Sequence, residues 1–442
     1  MKNAVVLTLG CKTNQYEGDV LRRRLAAMGY RVAADGTVPD LVVVNTCTVT
    51  VRADRKCRQL IRRTARRHPH VPIYVTGCYV HRKAEELVAL EGVAGVAADK
   101  EELLRMISRN EHGTPSDGGT GIPACRSPQK APDRNVRPTI LSPEPGRRTR
   151  AFLKIQDGCD AFCSYCIVPY VRPTLRSEPI DRVLEEARAL VDAGFREIVL
   201  TGIHLGRFGT GSADGPSLTE VVRRVAQTPG LARLRLSSIE HPELPDDLIE
   251  LIAESPVLCP HLHLPLQSGD DRVLAAMNRH YTANDFLKTL ARIRKRIGDV
   301  AITTDVIAGF PGETDAAFEN TLAVCRDAGF SKMHVFPYSV RPGTAAAELP
   351  GHLPARVITA RKKELIGLGS GLALDYKKRF VGRTVEVLVE ATEPEDDGSL
   401  VSEGLTGHYL RVRFPGDVSL HNERVSVRIE HATAERMDGR AS

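Results

Sequence analysis

Along the first hundred residues, short and mainly apolar runs alternate with amphipathic stretches. Ala4–Leu9, Leu41–Val44 and Ile73–Thr76 have the length and composition of strands buried in a parallel sheet, and helical spacing marks Asp19–Met28 and Arg52–His68 between them. The pattern predicts an α/β domain over residues 1–108. It breaks from 109 to 148, where Pro115, Pro123, Pro128, Pro132, Pro138, Pro143 and Pro145 stand among glycines and few residues can bury a face. That stretch is expected to be a linker, with Cys125 inside it an idle thiol. Alternation resumes over 149–376, with candidate strands Phe152–Ile155, Glu197–Leu200, Leu234–Leu236, His261–Leu266, Ile302–Ile307 and Met333–Phe336. Helical patterns such as Ile180–Ala193 and Thr314–Asp327 intervene. Six such repeats predict a partial (β/α)6 barrel, whose chemistry belongs at the C-terminal ends of its strands. From 377 to 440, two-residue alternation in Val385–Val389, Tyr409–Phe414 and Val425–Ile429 predicts a small antiparallel β-barrel.

Composition narrows the class. The chain has 442 residues, 42% hydrophobic and 26% charged, and no apolar stretch reaches the ~20 residues that span a bilayer. The run Ala4–Leu9 falls short of the ~7–15 residues of a signal-peptide core, so a cytoplasmic protein without membrane association is expected. A formal charge of +6 permits a polyanionic partner without requiring one. The ten cysteines change the picture more, because in a reducing compartment they point to metal binding or catalysis and away from disulfides.

Cys159, Cys163 and Cys166 form a C-x3-C-x2-C loop directly after a predicted strand. Three thiolates on one loop can hold three irons of a 4Fe–4S cluster and leave the fourth open, where S-adenosylmethionine (SAM) can chelate and be cleaved to a 5′-deoxyadenosyl radical. Tyr165 is placed to lie against the adenine of SAM. The alternative, a structural zinc site, normally wants four ligands, and this loop offers three. Cys11, Cys47 and Cys78 are far apart in sequence, yet each follows one of the three N-terminal predicted strands, in LTLGC, VVVNTC and YVTGC. Loops at one edge of a parallel sheet converge on one crevice, so these three can hold a second cluster; small buried packing residues are the other reading. Cys57, Cys259 and Cys325 show no such pattern and are assigned to the core. Arg52, Arg55, Lys56, Arg58, Arg62, Arg63, Arg66 and Arg67 place eight cations in sixteen residues, opposed only by Asp54. Such a face is either solvated or a contact for phosphates.

The segment KIQDGCDAFCSYCIVPYVR (Lys154–Arg172) closely resembles the radical SAM methylthiotransferases, as do LTGIHLG (Leu200–Gly206), LSSIEHPEL (Leu236–Leu244), HLHLPLQSGDDRVLAAMNRHYT (His261–Thr282), TTDVIAGFPGET (Thr303–Thr314) and HVFPYSVRPGT (His334–Thr344). The resemblance covers nearly all of the chain outside the linker. It implies two 4Fe–4S clusters, a radical SAM cluster on Cys159, Cys163 and Cys166 and an auxiliary one on Cys11, Cys47 and Cys78. One SAM then methylates sulfur carried by the auxiliary cluster, a second generates the radical, and a methylthio group is delivered to carbon 2 of an adenine in tRNA. The C–H bond there is unactivated, which is why acid–base chemistry does not suffice. The target base is expected between the first two domains.

Further SAM contacts are expected at strand ends: Thr201, Gly202, Ser238, Glu240, Gln267 and Gly309. NTCTVT (Asn45–Thr50), TGIHLG and HVFPYSVRPGT resemble the branch acting on N6-threonylcarbamoyladenosine at position 37, next to the anticodon. The isopentenyladenosine branch, and a radical SAM RNA-modifying enzyme without sulfur insertion, are the alternatives. Implied partners are the tRNA anticodon loop, an electron donor such as flavodoxin or ferredoxin, and a sulfur source; they tilt the Arg52–Arg67 run towards RNA contact. The C-terminal barrel resembles a TRAM RNA-binding domain, although residues 377–442 carry ten Lys and Arg against twelve Asp and Glu. Binding there would need Lys377, Lys378, Arg379, Arg411 and Arg413, with Tyr409 or Phe414 stacking on bases. Where the family shows Arg-Gly and then Arg-Ser-Arg after the cysteine loop, this chain has Arg172-Pro173 and Arg176-Ser177-Glu178.

Overall fold

The structure, a computed structural model, describes residues 1–32, 37–111, 148–210 and 215–442. The chain divides into two compact units, Met1–Leu141 and Ser142–Ser442. Most of the expected linker, with Cys125, lies outside the described residues.

The first unit is a parallel sheet of β1 (Asn3–Thr8), β2 (Arg31–Val32), β3 (Leu41–Thr46), β4 (Ile73–Gly77) and β5 (Val93–Val96), in the order β2-β1-β3-β4-β5. Its helices are α1 (Lys12–Ala27), α2 (Val51–Arg67), α3 (Val80–Val88) and α4 (Lys100–Glu111). Alternate strand residues face opposite layers. Ala4, Val6, Leu41 and Val43 pack with Leu21 and Leu25 of α1 and Leu103 of α4, whereas Val5, Val42, Val44 and Val75 pack with Cys57 and Ile61 of α2 and Leu87 of α3. Cover on both faces explains why β3 and β4 are buried along their whole length and read as apolar runs. The edge strands β2 and β5, two and four residues long, are too short to announce themselves.

The second unit begins with β6 (Arg150–Lys154) and the two-residue strands β7 (Gln156–Asp157) and β8 (Arg176–Ser177), which pair with each other around the cysteine loop. The barrel strands β6, β9 (Glu197–Thr201) and β10 (Arg233–Leu236) form one parallel sheet, and β11 (His261–His263), β12 (Ala301–Ala308) and β13 (Lys332–Pro337) another. A parallel bridge from Ser238 to His263 links them. The helices are α5 (Val168–Val171), α6 (Ile180–Asp192), α7 (Leu218–Ala226), α8 (Asp246–Glu254), α9 (Asp271–Ala276), α10 (Ala283–Arg296), α11 (Asp315–Ala328) and α12 (Ala355–Lys378). The expected strand His261–Leu266 ends at His263; beyond it Gln267 takes φ +65° and bridges Val306.

Five strands close the C-terminal barrel: β14 (Thr384–Pro394), β15 (Leu400–Thr406), β16 (Arg411–Pro415), β17 (Arg424–Ala432) and β18 (Met437–Ala441). The expectation of a purely antiparallel barrel is corrected at one seam, where β16 and β18 run parallel. A closed ring with an odd number of strands cannot alternate direction throughout. The barrel docks at the N-terminal ends of the β6, β9 and β10 strands. Arg235, 1% exposed, donates to Glu197 Oε1 at 2.7 Å and to the carbonyls of Gly407 and Thr406 at 2.8 and 3.2 Å. Arg233 donates to Leu405 O at 2.7 Å, and Arg150 to Glu390 Oε1 at 2.8 Å and to the Tyr409 hydroxyl at 3.1 Å.

Candidate functional site

Parallel pairing of β1 with β3 and of β3 with β4 brings the C-terminal ends of all three strands together; Cys47 and Cys78 are the first residues past β3 and β4, and Cys11 is the third past β1. Asn14, in the first turn of α1, is the common neighbour of Cys11 and Cys78. Its Oδ1 lies 4.0 Å from Cys11 Sγ and 3.8 Å from Cys78 Sγ. Its Nδ2 donates to Leu9 O and Thr46 O, each at 2.9 Å, which fixes the amide orientation and ties the ends of β1 and β3 together. Gly10 has φ +118°, and a Cβ there would lie 2.9 Å from the Cys47 Cβ, so only glycine lets the first loop come this close. Burial, with the charges of Cys11 and Cys78 nearby, pushes the Cys47 thiol up to about 12. Cys57 is buried as expected, and it also holds the Cys47 backbone: its Sγ accepts from Cys47 N at 3.4 Å and donates to Cys47 O at 3.3 Å.

The second trio leaves β6 on a single loop. Gly158 takes φ +81° because a Cβ there would lie 2.0 Å from Thr174 O. Arg172 donates to both carboxylate oxygens of Asp157, at 2.9 and 3.0 Å, and its carbonyl accepts from Cys159 N at 3.1 Å. This clasp closes the loop with Pro173 in place. Glu178, at the second departure, receives Arg182 at 3.6 Å. Each sulfur has its own neighbour: His204 Nδ1 is 3.5 Å from Cys159 Sγ, Arg279 Nη1 donates to Cys163 Sγ at 3.5 Å, and Val168 N donates to Cys166 Sγ at 3.4 Å. Burial lowers the His204 pKa, but the hydrogen bonds to Cys159 and Glu243 outweigh it and raise the value to about 10, so the ring is held as a cation. Burial pushes Cys166 up to about 12 and raises Tyr165 well above its ordinary range. Arg279, 8% exposed, is held by Glu240 at 3.0 Å and by the Tyr281 hydroxyl at 3.1 Å.

Among the described residues, no three His, Cys, Asp or Glu side chains stand close enough together to hold a single metal ion. The ligands of a four-iron cluster stand farther apart, because the cluster itself lies between them. Both trios fit such a group by their chemistry: three sulfurs at one sheet edge, two of them at one amide, and three sulfurs on one loop, each with a polar neighbour.

Of the expected SAM contacts, Thr201 and Gly202 end β9, Ser238 is exposed just past β10, and Gln267 lies past β11. Glu240 is engaged by Arg279, and the space beside Gly309 is filled by Ile358 of α12, 2.5 Å from where a Cβ would be. Asn14, His204 and Arg279 were missed by the cysteine-centred reading. His204 and Arg279 stand inside the quoted motifs, His204 just past β9 and Arg279 just past α9, and Asn14 stands three residues after Cys11.

The expected RNA-binding side chains of the C-terminal barrel are engaged by other residues of the chain. Phe414 is 1% exposed in the barrel core, and Tyr409 lies under Arg235, 4.6 Å from ring centroid to guanidinium. Arg411 and Arg413 pair with Glu403 and Glu395, Arg379 with Asp299, and Lys378 with Asp375 at 3.6 Å; Lys377 is buried against the Ala434 carbonyl. Base stacking by Phe414 is therefore corrected, because core packing covers its ring, whereas Tyr409 is half-buried beside Arg235 and Arg150.

Comparison with known proteins decides the family. Residues 153–325 match the Radical SAM superfamily and residues 3–98 the uncharacterized protein family UPF0004. The chain is 38% identical to the threonylcarbamoyladenosine tRNA methylthiotransferase MtaB of Bacillus subtilis, over 96% of this chain and 92% of that protein. It belongs to the radical SAM methylthiotransferases. The Thermotoga maritima MtaB is 34% identical over 94% of this chain and 92% of its own length. A tRNA-2-methylthio-N(6)-dimethylallyladenosine synthase of Cereibacter sphaeroides is 36% identical over 93% and 92%. In fold, the chain is similar to the radical SAM methyltransferase TsrM of Kitasatospora setae, with a TM-score of 0.57 at 17% identity, covering 78% of this chain and 74% of that one. Membership implies SAM and 4Fe–4S clusters as cofactors. No helix among the described residues is long and apolar enough to cross a membrane.

Proposed function

We propose that this enzyme adds a methylthio group to carbon 2 of N6-threonylcarbamoyladenosine at position 37 of tRNA, in the cytoplasm, with a low-potential electron donor such as flavodoxin or ferredoxin and a separate sulfur source. The observation that carries the reading is the convergence of Cys11, Cys47 and Cys78 at one edge of the parallel sheet, two of them against Asn14, which a radical SAM enzyme without sulfur insertion does not need. Cys159, Cys163 and Cys166 would hold one cluster, which with SAM would supply radical chemistry for the unactivated C–H bond, and Cys11, Cys47 and Cys78 would hold a second, which would supply sulfur.

The chain's own residues prepare both places. Asn14 sets the separation of the β1 and β3 loops, and Cys57 anchors the third sulfur's backbone. His204 and Arg279 stand against two of the loop sulfurs, Cys159 and Cys163, and fix their positions. The Asp157–Arg172 clasp keeps the loop closed while its three side chains face one ligand. Thr201, Ser238 and Gln267, at successive strand ends, supply polar groups to SAM.

Anaerobic iron and sulfide counting tests the two-site reading: about eight irons per chain are expected, two four-iron clusters, and about four would remove the auxiliary site. Mass spectrometry of tRNA nucleosides from cells lacking the gene tests the reaction. Loss of the methylthio form of threonylcarbamoyladenosine is expected; loss of the isopentenyl form would reassign the substrate.

A further inference from the structure

The outer face of α2 has no use in the chemistry above. Asp54, Cys57, Ile61, Thr64 and Ala65 turn inward, and Asp54, the only acid on the helix, accepts from Thr48 Oγ1 at 2.6 Å. Arg52, Arg55, Lys56, Arg62, Arg63, Arg66 and Arg67 are all exposed. At 100° per residue these seven fall within about 140° of the helix circumference, opposite the buried side. None of them forms an ion pair among the described residues, whereas Arg58 at the edge of the face reaches Glu86 at 3.1 Å. Arg52 and Lys56, Arg62 and Arg66, and Arg63 and Arg67 are like-charged neighbours four residues apart, an arrangement that weakens a helix. A face serving only solubility would intersperse both signs. The stripe runs about 22 Å, at 1.5 Å per residue, and its N-terminal end follows Cys47 by five residues.

We infer that the outer face of α2 is the surface on which the phosphate backbone of the RNA substrate lies, leading from the cysteine trio of the first unit along the helix. This rests on the tRNA reading above. Guanidinium groups in a row match a row of phosphates and carry no base specificity. A membrane surface is the poorer fit, because helices that lie on bilayers also expose an apolar side, and the apolar side of α2 is buried in the core. The barrel cations, neutralised by Glu403 and Glu395, give the internal control.

The test is binding of unmodified tRNA transcript to cluster-loaded protein across a salt series. R52Q/R55Q/R62Q/R66Q is expected to weaken binding at least tenfold at about 0.1 M salt and to flatten the slope of log K against log salt by about 3, some 0.7–0.9 per lost phosphate contact. Lysine at the same four positions should restore most of the slope, and R411Q/R413Q should leave it within about 0.5. Unchanged iron content and unchanged 5′-deoxyadenosine release without RNA show that the glutamine variant is folded. Equal affinity and slope for wild type and glutamine variant overturn the proposal and leave the methylthiotransferase reading intact. Loss of binding to anionic phosphatidylserine vesicles, with tRNA binding retained, overturns it as well. Wild type that binds tRNA but forms no methylthio product would overturn the reaction and not the surface.

Discussion

The two cysteine trios solve the same ligand problem by different means. Cys159, Cys163 and Cys166 sit on one loop, closed by Arg172 on Asp157 and supplied with a cationic or N–H neighbour for each sulfur. Cys11, Cys47 and Cys78 come from three strand ends: Cys11 and Cys78 share the Asn14 amide oxygen, and Cys47 is held through its backbone by the Cys57 thiol. The first trio needs only local chain geometry and a buttress from neighbouring strands. The second exists only when β1, β3 and β4 are correctly paired. The lesson is that the assembled trio reports on the fold of the first unit, whereas the loop trio reports on its buttress of His204 and Arg279.

Replacing a member of either trio gives the largest expected contrast. Cys163→Ala is expected to abolish 5′-deoxyadenosine formation from SAM altogether. Cys47→Ala should abolish the methylthio product, lower iron from about eight to about four per chain, and leave 5′-deoxyadenosine release intact. Equal loss of SAM cleavage in both variants would erase the distinction.

Arg279→Ala comes next. It leaves Glu240 without its buried partner, and breaking such a pair costs about 3–5 kcal/mol, read as a lowered midpoint in chemical denaturation of the second unit. Asn14→Ala removes two buried hydrogen bonds at about 1 kcal/mol each and is expected to destabilise only the first unit, by about 2–3 kcal/mol, with iron lost from the assembled trio first on chelator titration. Iron lost first from the loop trio instead would reverse the comparison.

The smallest effect is on pH. Burial, helped by Arg279, holds His241 down to about 4, beside the Tyr281 ring 4.3 Å away. The unfolded chain takes up that proton near 6.5 and the folded one resists it. Stability from this group is therefore complete above about 6.5 and is lost as pH falls towards 4. Thermal melting of His241→Phe should depend less on pH between 7 and 5 than wild type.

Much of this was legible in the residues. The apolar runs gave the parallel strands because a strand covered on both faces has no polar side, and C-x3-C-x2-C needs only loop geometry to be read. The assembled trio was legible through its shared place after three strands. Two-residue edge strands left no pattern, and the parallel seam of the barrel followed from closure of five strands, which spacing along the chain does not encode. The fate of individual charges was hidden too. Arg411 and Arg413 looked like the α2 arginines in sequence, yet Glu403 and Glu395 neutralise the barrel pair, whereas the seven outer cations of α2 form no ion pair among the described residues. The sequence by itself determined which residues carry the chemistry and which strands precede them, because those depend on local order and periodicity. Tertiary structure alone decided what stands beside each sulfur and each cation, because Asn14, His204, Arg279 and the neutralising glutamates act across the distances that folding closes.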